Sequence, residues 1–122
     1  MNTKLLAAVA FAVAASVDAS RANAATIGKL YEWCTSQEAG MDQICAMYII
    51  GFNDGFGAGQ ITQAILLGGK ETPVYCPPEN TNYKTSVAIF VSWAGRNRSR
   101  WDQDAPFGII AAYRESWPCS AK

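Results

Sequence analysis

Four cysteines stand behind an N-terminus that reads as an export leader, and the two facts together leave this chain few ways to fold. Met1-Asn-Thr-Lys4 supplies a positive start. Leu5 to Val17 is an uncharged run of thirteen residues rich in Ala, Leu and Val, and Ala22-Asn23-Ala24 offers the small-x-small pattern that signal peptidase cleaves. A run of that length at 1.5 Å per residue falls short of a bilayer core roughly 30 Å thick. Residues 1–24 are therefore expected to be a Sec signal peptide removed after Ala24. Residues 25–122 are expected to be a single domain, periplasmic or secreted, with no membrane insertion after cleavage.

Cys34, Cys45, Cys76 and Cys119 all lie in the exported part, an even number in an oxidising compartment. Their gaps of 10, 30 and 42 residues lack the close pairs of a four-cysteine zinc site. They also lack the C-x-x-C of a catalytic thiol pair. Two structural disulfides remain, in one of three connectivities, and the helical pattern chooses among them.

From Thr26 to Cys34 the apolar residues Ile27, Leu30, Tyr31 and Cys34 recur at helical spacing, and Gly40 breaks the run. A second helix starts near Asp42 with Ile44, Met47, Tyr48, Gly51, Phe52 and Gly55 on one face. Its continuation to Ile65 is expected to kink around Gly55–Gly59, because each interior glycine costs about 1 kcal/mol relative to alanine. Gly68-Gly69 ends it, and a loop with Pro73, Pro77 and Pro78 carries Cys76.

A third helix starts near Asn82, with Thr81 or Asn80 as N-cap and a face of Tyr83, Val87, Phe90, Val91 and Ala94. A fourth starts after Asp104, with Pro106 in its first turn and Phe107, Ile110, Ala111 and Trp117 inward. The expected class is all-α, a small disulfide-stapled bundle of about four helices arranged as two hairpins. Cys34 ends helix one and Cys45 opens helix two; Cys76 precedes helix three and Cys119 follows helix four. Antiparallel hairpins thus bring together Cys34–Cys45 and Cys76–Cys119.

Chemistry is harder to find. The chain has no histidine, which removes Ser-His-Asp and Cys-His catalysis, histidine-ligated zinc enzymes and haem on a proximal His. Lys and Arg number ten, as do Asp and Glu, so net charge attracts neither nucleic acid nor an anionic membrane. Gly51-Phe-Asn-Asp-Gly55-Phe-Gly57-Ala-Gly59 lacks the Lys-Ser/Thr of a phosphate-binding loop. Its four-residue period reads instead as a smooth helix face for close packing of another backbone. The carboxylates Glu38, Asp42, Asp54, Asp102 and Asp104 show no catalytic spacing, and Asp42 and Asp104 fit helix starts. Neither a catalytic residue, a cofactor nor a metal is expected.

Arg96-Asn-Arg98-Ser-Arg100-Trp101-Asp102 is the most polarised stretch. Arginines at a helix C-terminus suit its dipole, and arginines beside a tryptophan have the composition of a protein-binding hot spot. Arg96, Arg98, Arg100 and Trp101 are accordingly the candidate partner-binding residues. Trp93 and Trp117 read as core or core rim, whereas Trp33 and Trp101 are candidates for exposure.

The strings Leu30-Tyr31-x-x-Cys34, Cys45-x-x-Tyr48-x-x-Gly51-x-x-Asp54-Gly55, Tyr75-Cys76-Pro77 and Trp117-Pro118-Cys119, in this order, resemble the Rap1a/Tai immunity-protein family. The resemblance spans about Thr26 to Cys119. It implies a small exported α-helical periplasmic protein, not an enzyme, often a homodimer, that neutralises a peptidoglycan amidase toxin of type VI secretion by occluding its active site. The segment Arg96–Asp104 departs from the family pattern in being longer and more basic. An alternative is a small periplasmic stress chaperone resembling the acid-activated HdeA type, or another envelope accessory protein. On that reading, protonated carboxylates would leave the domain strongly cationic and loosen it.

Overall fold

The computed structural model describes residues 24–70 and 72–120 of the chain. The expected signal peptide lies outside the described residues, apart from Ala24. Four helices follow in order: α1 (Ile27–Thr35), α2 (Met41–Leu66), α3 (Tyr83–Arg96) and α4 (Ala105–Ser116). A 3₁₀ turn, Arg98–Arg100, sits between α3 and α4. No β-strand occurs among the described residues; Thr26 and Asp104 form an isolated antiparallel bridge.

Local chemistry starts each helix. The Thr26 side chain accepts the Lys29 backbone N–H at 3.2 Å, capping α1. Gly40 begins α2 at φ +89°, a conformation in which any Cβ would be strained. Asn82, not the expected Thr81 or Asn80, caps α3 by accepting the Thr85 N–H at 3.1 Å. Thr81 is occupied elsewhere, its hydroxyl closing the preceding turn onto the Pro78 carbonyl at 2.7 Å. Asp104 caps α4 through backbone geometry alone, and Pro106 fills the first turn.

The expected kink in α2 is absent. The helix runs unbroken for 26 residues, about 39 Å at 1.5 Å per residue. A glycine weakens a helix by propensity but does not block the next hydrogen bond, and Ala58, Gln60, Ile61 and Ala64 continue the pattern. The helix stops where Leu67, Gly68 and Gly69 fold back their N–H groups onto Gln63, Ile65 and Ala64. Gly68 and Gly69 both have positive φ there.

The core is built where α1, α3 and α4 meet the first half of α2. Ile27 and Leu30 of α1, Cys45 and Ile49 of α2, Phe90, Trp93 and Ala94 of α3, and Ile109, Ala112 and Tyr113 of α4 are buried. On α4 this corrects the expected face. Phe107 is 61% exposed, while Gly108, Ile109, Ala112 and Tyr113 point inward. Small residues at 108 and 112 let α1 and α3 approach, and the helix turns so that they lie at the contact. On α3, Phe90 and Ala94 are buried as expected, while Tyr83 is exposed.

Both disulfides form as the hairpin layout requires. Cys34 bonds Cys45 and Cys76 bonds Cys119, each with Cα atoms 5.0 Å apart. The second is reinforced by the Cys76 N–H, which donates to the Trp117 carbonyl at 2.8 Å. A further clasp joins the hairpins. Ala105 N–H donates to the Ala25 carbonyl at 2.7 Å, and Ile27 N–H to that of Gln103 at 2.8 Å.

Candidate functional site

Three surface regions carry side chains not consumed by the core. The first is the basic corner between α3 and α4, which gathers Arg96, Arg98, Arg100 and Trp101. Each has a partner within the chain. Arg96 pairs with Glu115 of α4 at 2.8 Å, a solvent-exposed bridge of the kind that adds little stability. The Arg98 and Arg100 guanidinium groups lie 5.2 Å from the Trp101 and Trp93 ring centroids.

Trp101 itself is half-buried. Its indole N–H donates to the Ala94 carbonyl at 2.9 Å, its ring lies on Gly28, and Tyr31 stands 4.9 Å away between centroids. The corner is thus cemented from within, with the outer edges of Arg96 and Arg98 facing water. Trp33 is also half-buried, against Tyr48 and Lys29. Trp93 is buried and Trp117 half-buried, as their sequence positions suggested.

The second region is the end of α2 with the turn-rich loop that follows it; the sequence offers the loop Gly68–Tyr75 as a second candidate contact surface but does not single out the helix end. Ile65 and Leu66 are 73% and 79% exposed, and Ile61 and Leu67 beside them are also mostly in water. Beyond Phe56 the helix has no buried residue. A groove of about 580 Å³ runs along this stretch, between Gly55, Phe56, Gly59 and Gln63 on the helix and Thr72, Pro73 and Val74 in the loop. The glycines do not serve the expected close packing. A Cβ built at Gly51, Gly55, Gly57 or Gly59 would meet nothing within 4 Å. Apolar residues spaced by three and four just before Gly68-Gly69 were the signal available for this region.

The third region is an aromatic cavity of about 340 Å³ between α2, the start of α3 and the end of α4. Tyr113 meets Tyr75 edge-on at 5.0 Å and Trp117 at 4.8 Å, and Phe56 stacks on Tyr75 at 5.7 Å. The Tyr113 hydroxyl donates to Asn53 Oδ1 at 3.0 Å. Burial, with the neighbouring Tyr113 adding to it, pushes the Tyr75 phenol up to about 12. Burial raises Tyr113 too, partly offset by the Ser86 and Asn53 side chains. Both phenols therefore stay neutral donors at ordinary pH.

The carboxylates at 38, 42, 54, 102 and 104 are all exposed. Among the described residues, no three His, Cys, Asp or Glu side chains gather closely enough to hold a metal ion. No described helix is long and apolar enough to cross a membrane.

Compared with known families, residues 26–119 match the family model of Rap1a immunity proteins. That span runs from the N-cap of α1 to the last cysteine and contains both disulfides. No curated protein and no solved structure matches the chain.

Proposed function

This chain belongs to the Rap1a immunity protein family, and from that premise we propose that it is a periplasmic binding protein, not an enzyme, that neutralises a peptidoglycan amidase toxin by covering its active site. The observation that carries the reading is the unpartnered end of α2. Ile61, Ile65, Leu66 and Leu67 hold apolar surface in water, on a scaffold stapled twice against rearrangement. Contiguous exposed apolar surface of this kind marks protein contacts. A toxin cleft closed over this end would lose access to its substrate.

Arg96, Arg98 and Arg100, with the rim of Trp101, form the second contact area in this proposal. Rim charges of that sort steer encounter more than they hold the complex. Homodimerisation is placed, in this proposal, on the first half of the same α2 face, where Ile44, Met47 and Ile50 are exposed.

The test is capture from envelope and secreted fractions with the oxidised protein, followed by assay of each retained protein for peptidoglycan amide hydrolysis. One retained amidase, silenced by an equimolar amount of this chain, is the expected result. Retained proteins without such activity, or an amidase that stays active when saturated, would overturn the reading.

A further inference from the structure

The aromatic cavity belongs to neither contact area, and its lining is unusual in being wholly uncharged. Asn53 and Gln60 come from α2, Asn82, Tyr83 and Ser86 from the start of α3, and Tyr113 and Trp117 from α4 and its end. Tyr75 forms one wall, on a loop that the Cys76–Cys119 disulfide and the Cys76-to-Trp117 backbone bond hold in place. Its ≈340 Å³ lies at the lower end of the range for small-molecule sites, roughly 300–1,000 Å³.

The polar groups decide what fits. The Gln60 amide can donate and accept, whereas the Asn53 and Asn82 Oδ1 atoms are taken by Tyr113 and by Thr85, so their amides can only donate. The set matches a ligand rich in acceptors that can also donate, as hydroxyls are. Asn53, which lines the cavity, uses its Oδ1 on Tyr113 and keeps its two amide N–H groups as donors. No side-chain hydrogen bond is made by Gln60 among the described residues. An anion would find no cation in the lining, and an alkyl chain would strip these amides of water without replacing it. The aromatic rings add negative π-faces suited to weakly positive C–H groups. A sugar ring offers such C–H groups on its face and hydroxyls around its edge.

We propose that this cavity binds a neutral saccharide, one pyranose ring at a time. The rings at 75, 83 and 117 supply the stacking surface, and the amides at 53, 60 and 82 read the hydroxyls. The site stands whether or not the chain neutralises a toxin, because no residue at the end of α2 or in the basic corner takes part.

The experiment is a set of ¹H–¹⁵N titrations of the oxidised protein with glucose, N-acetylglucosamine, its β-1,4-linked trimer, and glucose 6-phosphate. Neutral sugars should move the Asn53 and Gln60 side-chain amides and the Trp117 indole N–H, with Kd in the roughly millimolar range. The phosphate ester should bind more weakly. A tighter trimer would identify the end of a glycan chain as the source; equal affinities would identify a free monosaccharide. Gln60→Leu and Tyr83→Ala should each weaken binding about tenfold. Neither residue is buried, so thermal unfolding should stay at the wild-type temperature. The proposal fails if no neutral sugar moves these signals, if glucose 6-phosphate binds as tightly as glucose, or if both variants bind like wild type.

Discussion

A Cβ placed on Gly108 would stand 2.6 Å from Cγ1 of Ile27, closer than real carbon contacts allow. The same atom would lie 3.3 Å from the Trp93 ring. Gly108 is therefore where α4 presses onto α1. Gly108→Ala should destabilise by about 1–3 kcal/mol through overpacking, although alanine gains about 1 kcal/mol in helix propensity. Gly59→Ala, where the added methyl meets open space, should raise stability by up to about 1 kcal/mol. Urea melts of the two variants against wild type check the opposite signs.

Partial reduction should open the two disulfides in order. Cys76 and Cys119 are exposed, whereas Cys45 is buried. Mild reductant followed by alkylation and mass spectrometry should label positions 76 and 119 first. The loop it frees spans a separation of 43 residues, against 11 for the other. On the chain-entropy model the losses are about 4 and about 2.8 kcal/mol. Equal labelling at all four cysteines would contradict the burial argument.

In the basic corner, tryptophan and arginine should separate by readout. Trp101→Phe removes one of the two donors to the Ala94 carbonyl, leaving the Asn97 N–H at 3.1 Å, and should cost about 1 kcal/mol of stability. Arg98→Ala loses one exposed cation–π contact and should cost no more than about 1 kcal/mol. On partner capture, Leu66→Asp should abolish binding at unchanged melting temperature. Arg98→Ala should instead slow association and flatten its salt dependence.

Acid separates an inert binding protein from an acid-activated chaperone. Among the described residues no charged side chain is buried, and every described carboxylate is exposed. Protonation therefore removes two surface ion pairs, Lys29–Glu32 and Arg96–Glu115, and no buried one. Near-UV circular dichroism should keep its native form at about pH 3, with no gain in dye-accessible apolar surface. Loss of that signal together with protection of other proteins from aggregation would favour the chaperone.

Alkali should be the harder stress. Unfolded tyrosine ionises near pH 10, whereas folded Tyr75 keeps its proton to about 12 and Tyr113 and Tyr48 are also raised. Burial is the main cause at all three. The unfolded chain loses protons first, so this stability is complete below about pH 10 and is lost as pH rises toward 12. Tyrosinate absorbance should show a late, cooperative step coincident with the loss of helical signal.

What was legible beforehand divides along the range of the interactions. Thr26, Gly40, Gly68-Gly69 and Pro106 act on neighbours a few residues away, so helix starts and stops follow from local chemistry. The cysteine pairs follow from those helices in turn. Sequence alone does not select the inward face of α4, because Phe107 and Ile109 are equally apolar. Only the approach of Ile27 to Gly108 decides which of them turns inward. For the glycines of α2 the reason is the converse, since nothing in a four-residue period says that no neighbour comes to fill it. The aromatic cavity was out of reach altogether, because Asn53 and Tyr113 meet across 60 residues of chain.

The unbroken α2 divides its labour along its length. Cys45 and Ile49 are anchored in the core, while no residue of α2 beyond Phe56 is buried and Ile61, Ile65, Leu66 and Leu67 stand mostly in water. On the proposed contact surface, substitutions at 61, 65, 66 and 67 would therefore change recognition without taxing the ability to fold. Most surfaces that grip a partner must trade one against the other. Here the positions are separate, so a lineage could explore new specificities residue by residue while every intermediate remained a stable protein.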